Sequence, residues 1–380
     1  DMAGACRAFA DAAAAAKAAG NVHLAAPALC ALGTLQMQYG ALHQALATFN
    51  EAQQIARTKS GRDLPVAAGA YSGKGQLLYE WNDFPAATEH LETAVTLARQ
   101  WGNIDSLLSG QTLLVQAYLA QGNYDDALAQ LQQATQLAKG KQLTPSTDAF
   151  LAAGQIRTWL AIGNVVSARR CAADRGLATT DELSYLREGE HMALARLLMA
   201  ESRWEQSEAF LQRLRQAAEA GERLRPMIEI LVLLAVVQKA QGNGETAVTT
   251  LAQALNLAES EGYVRTFVDA GSTIQSLLEQ ASARGISPAY TAKLLAAFPA
   301  AARRAASPRQ TSGAALAEPL SEHELKVLRL VAAGLTNRET AVELYLSVNT
   351  VKWHLKNIYD KLDVHGRVEA IARAQELGYL

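Results

Sequence analysis

The residues best suited to chemistry lie near the carboxyl end. Asn349, Lys352, Trp353 and Lys356 recur at spacings of three and four, so at ~100° per residue they share one face of a helix. Val348, Val351, Leu355, Ile358 and Leu362 share the opposite face. One side suits a protein core, and the other offers hydrogen-bond donors and two cationic amines. A helix lying in a DNA major groove needs this division, with donors facing base edges and phosphates. Thr350 falls in the first turn of the same helix and counts among the candidate DNA contacts. Asn357 and Lys361 lie on a flank, and Arg338 lies near the start of the preceding helix. All three are placed to reach phosphates. His354 sits beside the apolar stripe, where packing at the core edge is its expected role. Asp360 faces the groove side, but toward the end of the helix.

The elements that must hold this face are also written in the chain. Ser321 is followed three residues on by Glu324, and Thr336 by Glu339. Each pair forms a capping box: the hydroxyl accepts from the N3 amide, and the carboxylate accepts from the cap amide. Ser347 caps a third helix with Thr350 at N3. Gly334 suits the left-handed residue that ends the first helix. The expected helices are 322–333, 337–344 and 348–362. Only Tyr345 and Leu346 separate the second helix from the third cap, a turn short enough for a steep helix pair. A fourth helix, Arg367 to Leu377, carries Val368, Ile371, Ala372 and Gln375 at helical spacing. It would complete the core or pair with its copy in a dimer. Acidic and basic residues nearly cancel across the module, so binding rests on local lysine placement and should be salt-sensitive.

These residues resemble the LuxR-type helix-turn-helix family. Leu-Ser-x-x-Glu, Gly-x-Thr-Asn-Arg-Glu-x-Ala, Leu-x-Leu-Ser, Thr-Val-Lys-x-His-x-x-Asn-Ile and Lys-Leu-x-Val all fall in register over residues 318–380. The resemblance implies a four-helix domain whose third helix reads the major groove through Lys352, Trp353 and Lys356. It also implies that the fourth helix mediates dimerisation on a roughly two-fold operator. Thr340 departs from the apolar residue usual at its position, and should weaken the packing of the second helix. Trp353 is bulky for its position and leaves the preferred base sequence open.

Composition narrows the remainder. The chain has 380 residues, nearly half of them apolar, and a formal net charge of −2, so a broadly basic nucleic-acid coat is excluded. Its length suggests two or three domains. Cys6, Cys30 and Cys171 are far apart and form no Cys-x-x-Cys, which fits free thiols in a reducing cytoplasm. No apolar run is long enough to span a bilayer and no signal peptide is visible, so a cytoplasmic location is expected.

A repeat occupies the first two-thirds. Tyr39 to Ala45, Asn82 to Ala87, Gly122 to Ala127, Gly163 to Ala168, Ser202 to Ser207 and Gly242 to Ala247 each pair a turn residue with a small residue inside the following helix. The small residues fall at 45, 87, 127, 168, 207 and 247, a period of roughly 40 residues. A lone helix pair cannot bury its own face, so neighbours stack around a shared core. The pattern resembles tetratricopeptide repeats, with a period longer than their ~34 residues. Longer connections such as Lys59 to Pro65 and Lys139 to Ser146 absorb part of the excess. Such a stack curves around a concave surface. Trp81, Tyr118, Trp159 and Trp204 lie near the turns, either packed between helices or lining a ligand groove.

Glu259 to Asp269, Arg284 to Tyr290 and Leu294 to Phe298 close the stack and resemble the end of the sensor region in MalT-like regulators, the large ATP-binding subgroup of the LuxR-type family. That resemblance implies repeats that recognise an inducer, and an ATP-binding signalling domain ahead of them. No Gly-x-x-x-x-Gly-Lys-Ser/Thr occurs here; Gly69 to Gly75 around Lys74 lacks the spacing and the hydroxyl. The chain opens inside a helix at Asp1, as a truncated sensor and DNA-binding portion would. No cofactor is therefore expected within it, and ATP is expected only of a missing amino-terminal domain.

The reading is an all-α chain. A tetratricopeptide-like helical-repeat sensor covers 1–298, a flexible linker with Arg303 and Arg304 covers 299–317, and a four-helix LuxR-type helix-turn-helix domain covers 318–380. The expected function is transcription activation on double-stranded promoter DNA, governed by a small-molecule inducer or a protein partner. RNA polymerase and a homodimer or higher oligomer on DNA are further partners to consider. The alternative is an interaction scaffold in which DNA binding is secondary. No paired catalytic carboxylates, nucleophile triad or metal cluster stands out, so no enzyme is expected.

Overall fold

The computed structural model describes residues 2–298, 320–344, 346, 348–362, 364 and 366–380. The expected linker 299–317, with Arg303 and Arg304, lies outside these residues, as do Tyr345 and the expected cap Ser347. The first of two compact units contains Asp1–Ala161 and Val165–Phe298, and the second contains the carboxyl-terminal module. Among the described residues the regular elements are helical, apart from one antiparallel bridge between Arg57 and Asp63. No helix among them is long and apolar enough to cross a membrane.

In the first unit, six helix pairs follow a leading helix α1 (Met2–Ala18). The pairs are α2 (Val22–Gln38) with α3 (Leu42–Ile55), α4 (Ala68–Glu80) with α5 (Phe84–Trp101), and α6 (Ile104–Ala120) with α7 (Tyr124–Ala138). They continue as α8 (Pro145–Ala161) with α9 (Val165–Asp174), α10 (Glu188–Ala200) with α11 (Trp204–Ala220), and α12 (Leu224–Ala240) with α13 (Gly244–Ala258). The turns inside the pairs contain Gly40, Asn82, Gly122, Gly163, Ser202 and Gly242, all at positive φ. Asn82 and Ser202 hold this left-handed conformation at a cost of roughly 1–2 kcal/mol that glycine avoids.

The six small residues are the fourth residues of α3, α5, α7, α9, α11 and α13. Ala45, Ala87, Ala127, Ala168, Ser207 and Ala247 are each 0% exposed. Small side chains here let the two helices of a pair approach closely. Glycines do the same between pairs. A Cβ at Gly33 would fall 2.7 Å from the ring of Phe49, and one at Gly73 closer still, so this buried ring lies between two bare backbones. A polar contact recurs with the repeat: Thr48 Oγ1 donates to Gln36 Oε1 at 2.7 Å, and Thr250 Oγ1 to Gln238 Oε1 at 2.8 Å, both buried. The second helices of the pairs are two-faced, with their apolar side on the stack. The first helices are less so, because protein meets them on several sides.

The stack returns on itself. After α13 the chain runs through α14 (Arg265–Val268), α15 (Ser272–Ala283) and α16 (Pro288–Ala297). Residues 261–269 meet the ends of α3, α4 and α5. Val264 N donates to Glu80 O at 3.1 Å, Thr266 N to Glu80 Oε1 at 2.9 Å, and Trp81 Nε1 to Glu261 O at 2.9 Å. Tyr79 Oη donates to Asp269 Oδ2 at 2.6 Å, and the Arg265 guanidinium stands over the Phe84 ring, 5.0 Å from its centroid. Phe49, Leu77, Leu251, Tyr263 and Phe267 share one core beneath this seam.

Two consequences are measurable. Gly73→Ala forces the Phe49 ring to move and should destabilise the chain by roughly 1–3 kcal/mol, with partial recovery in the Gly73→Ala, Phe49→Leu double variant, both read by denaturant unfolding. Glu80 is buried, and desolvation pushes its carboxyl up to about 7 against the pull of Arg225 and the Thr266 amide. Because the folded value is raised, the stability linked to this group is whole below about pH 4.3 and declines as pH rises toward 7. On the order of 3 kcal/mol is lost across that window. Glu80→Gln keeps an acceptor for Thr266 and should flatten unfolding free energy between pH 5 and pH 8; an unchanged slope would assign the dependence to other groups.

Candidate functional sites

The carboxyl-terminal module contains α17 (Glu322–Ala332), α18 (Asn337–Glu343), α19 (Val348–Leu362) and α20 (Arg367–Glu376). Both capping boxes are formed: Ser321 with Glu324 and Thr336 with Glu339. Gly334 ends the first helix with φ +94°. Val327, Leu328, Val331, Ala341, Val351, Leu355, Ile358 and Leu362 form the core with Ala370 and Ala374. Arg367 Nη2 donates to Val331 O at 2.7 Å and Leu335 O at 2.8 Å, so a side chain from α20's first turn satisfies the carboxyl end of α17.

Lys352 and Lys356 are exposed, one turn apart on the face of α19 opposite Val351 and Leu355. Arg338 on α18 is exposed as well. Trp353 is half-buried, and packs edge-on against His354 with ring centroids 4.8 Å apart. It is therefore less open than its wheel position suggests. His354 is buried at the core edge, at 5% exposure. Asn357 is half-buried. The side chains of Asn349, Asp360 and Val368 lie outside the described residues.

Several expected placements need correction. Thr350 is 4% exposed, because α18 packs against α19 and draws its short methyl-bearing side chain inward; it offers no open groove contact. Lys361 does not reach outward: its Nζ donates to Glu324 Oε2 at 2.8 Å, neutralising a carboxylate that is itself 4% exposed. Val348 is exposed and forms the edge of the apolar stripe. On α20 the buried positions are Ala370 and Ala374, with Ile371 half-buried, whereas Ala372 and Gln375 face solvent. The sequence pattern also gave no sign of Lys326 and Arg329, two exposed cations on α17.

The second site is a cavity of about 490 Å³ inside the repeat unit. Its wall comes from α2, α4, α6, α8, α10 and α12, the first helix of every pair, together with Tyr185 and Leu186. None of Trp81, Tyr118, Trp159 or Trp204 lines it. Trp81 stacks on His43 at the seam, Tyr118 Oη donates to Glu92 at 3.2 Å, and Trp159 and Trp204 pack on the core of α8 to α12. All four are half-buried packing residues, which corrects their candidacy as ligand contacts in this cavity.

Polar groups converge in the wall: Asp105, Gln116, Arg157, Glu188, Arg225 and Glu229. Glu229 accepts from Arg196 Nη2 at 3.0 Å. Burial raises its carboxyl, but Arg196, Arg157 and Arg225 outweigh this and hold it below the usual range. Glu188 is paired with Arg223 at 2.9 Å. The Gln116 amide, with its oxygen turned toward Arg157, accepts from that guanidinium. Buried Nε atoms of Arg157 and Arg196 have no partner. Arg225 makes no hydrogen bond or ion pair among the described residues.

A stack of helix pairs combined with a two-sided helix-turn-helix defines the class: a helical-repeat protein carrying a DNA-reading module. The family model described as the MalT-like TPR region matches residues 1–284, and that of bacterial regulatory proteins, luxR family, matches residues 318–374. The chain belongs to the MalT-like TPR family, with a luxR-family module at its carboxyl end. It is similar to the HTH-type transcriptional regulator MalT of Serratia proteamaculans (strain 568), 23% identical over 374 residues that cover 93% of this chain and 41% of that protein. The chain thus spans less than half the length of this curated relative. Among solved structures, BtubC (BKLC) from P. vanneervenii matches at 16% identity and a TM-score of 0.30, covering 69% of this chain and 91% of that one.

Thr340 explains one departure from the family pattern. It is 0% exposed in the module, and its hydroxyl has no hydrogen-bond partner among the described residues. An apolar isostere removes that unmet polar group without opening space. Thr340→Val should therefore stabilise the module by roughly 1 kcal/mol, seen as a rise in its melting temperature; a fall would mean that the hydroxyl has a partner in solution.

Proposed function

We propose that the chain is the sensing and DNA-reading portion of a transcription activator. The observation that carries this is the face of α19: Lys352 and Lys356 stand exposed on a helix whose other side is the core of a luxR-family module. Two amines one turn apart would neutralise phosphates or donate to base edges, with Trp353 adding apolar contact and Arg338 a second cationic point. The Lys361 amine serves the module internally and is left out of the interface. Two-fold pairing on the operator, contact with RNA polymerase and a cytoplasmic location complete the reading. The cavity ringed by the first helices of the pairs is the place for an effector, because charged and polar groups converge on it among apolar surface and it is of ligand size. No nucleotide site is assigned to any residue of this chain.

In a mobility-shift assay with promoter DNA, Lys352→Ala with Lys356→Ala should weaken binding at least tenfold. The slope of log affinity against log salt should become shallower by about 0.9 for each phosphate that is no longer neutralised. Both side chains are exposed, so the melting temperature should stay the same. Unchanged retardation by the double variant would remove the proposed interface, and a stoichiometric protein partner on the repeats in its place would favour the scaffold reading.

A further inference from the structure

The charge arrangement in the repeat cavity points to the kind of molecule it holds. Glu229 is engaged by Arg196, and Glu188 by Arg223, so these two carboxylates of the wall already have cationic partners. Arg157 and Arg225 line the same wall and make no ion pair among the described residues, although Arg157 feels the field of Glu229 and Arg225 those of Glu80 and Glu229. Arg157 meets only the neutral Gln116 amide, and its buried Nε is unpartnered. Arg225 sits on the first turn of α12, and Arg157 in the carboxyl-terminal half of α8. Both line the one cavity and both feel the field of Glu229. A buried Nε–H without an acceptor, as on Arg157, is costly, and two guanidinium groups lining one space suit a carboxylate or phosphate.

The rest of the wall has a different character. Gln38, Gln76, Ser72, Ser106, Ser109 and Thr147 supply neutral donors and acceptors, with Phe150 and Met192 as apolar surface. Such a lining suits a small polar body attached to the charged group. We propose that the cavity binds a small anionic metabolite, its carboxylate or phosphate held between Arg157 and Arg225 and its hydroxylated body along the serine and glutamine wall. This rests on the reading of the cavity as the effector site, and adds the chemical class of the effector.

The test titrates the 380-residue chain with inorganic phosphate, glucose 6-phosphate and glucose by calorimetry, alongside the Arg225→Gln, Arg157→Gln, Arg225→Lys and Ser109→Phe variants. Inorganic phosphate and glucose 6-phosphate should bind saturably and compete, and glucose should bind at least tenfold more weakly. Arg225→Gln should weaken both phosphate probes by about tenfold to hundredfold, with Arg225→Lys recovering part of the loss. Ser109→Phe, which fills the cavity, should abolish binding. Unliganded melting temperatures establish that each variant is folded, and either arginine variant suffices if the other is not. Equal affinity for glucose and glucose 6-phosphate, insensitive to Arg225→Gln but blocked by Ser109→Phe, would keep the cavity as an effector site and overturn its anion preference. No saturable binding of either phosphate probe, or binding that survives both arginine variants, would also overturn the inference.

Discussion

The repeat unit depends on one steric constraint: the fourth residue of each second helix must be small. Ala45, Ala87, Ala127, Ala168, Ser207 and Ala247 have no accessible surface, since the neighbouring helix occupies the space a larger side chain would need. Close approach within each pair lets the pairs stack with a constant offset. The offset accumulates until α14 meets α4 and α5. Both the cavity and the seam follow from that accumulated curvature, so a local packing rule sets the two features on which sensing would rest.

The seam and the cavity both carry buried polarity. At the seam several polar groups are paired, Glu80 with Thr266, Trp81 with Glu261 and Tyr79 with Asp269, while the Tyr263 hydroxyl and the Arg265 Nε are buried without a partner among the described residues. Pairs of this kind favour one arrangement. In the cavity wall, Arg157 and Arg225 make no ion pair among the described residues, and the buried Arg157 Nε has no partner. The carboxyl-terminal module pairs two of its charged side chains internally. Lys361 compensates Glu324, whose carboxyl burial would raise but whose contacts with Lys361 and Ser321 hold below the usual range. Arg367 serves the end of α17 in the same way.

Local signals were legible in the chain wherever chemistry acts over a few residues. The capping boxes at Ser321 and Thr336, the turn at Gly334 and the two-sided pattern of α19 each depend on neighbours within about one or two turns. The forty-residue spacing of small residues was legible because the same packing recurs six times. Contacts between distant positions were not. Lys361 meets Glu324 across 37 residues, and no wheel drawn on α19 alone identifies that carboxylate. Thr350 looks open on its own helix and is covered by another. On α20, Ala370 and Ala374 are buried and Ile371 packs beside them, whereas Ala372 and Gln375 of the expected stripe face solvent. The cavity was hidden for a related reason: the first helices of the pairs lack a continuous polar side, and their wall residues converge only once the stack has curved. The aromatic residues near the turns stand out by size, but size there serves packing.

The way the stack meets its own beginning carries a consequence for how such a protein changes over time. Open arrays of repeats lengthen or shorten by copying or deleting whole units, because each unit touches only its neighbours. Here Trp81 must find the carbonyl of Glu261, and Glu80 the amides of Val264 and Thr266. One unit inserted or removed between α6 and α12 would carry those amides past their acceptors by the width of a helix pair. The number of pairs is thereby fixed by closure, and variation is channelled into side chains of the inner wall and into the loops, where ligand preference can drift while the count of helices stays the same.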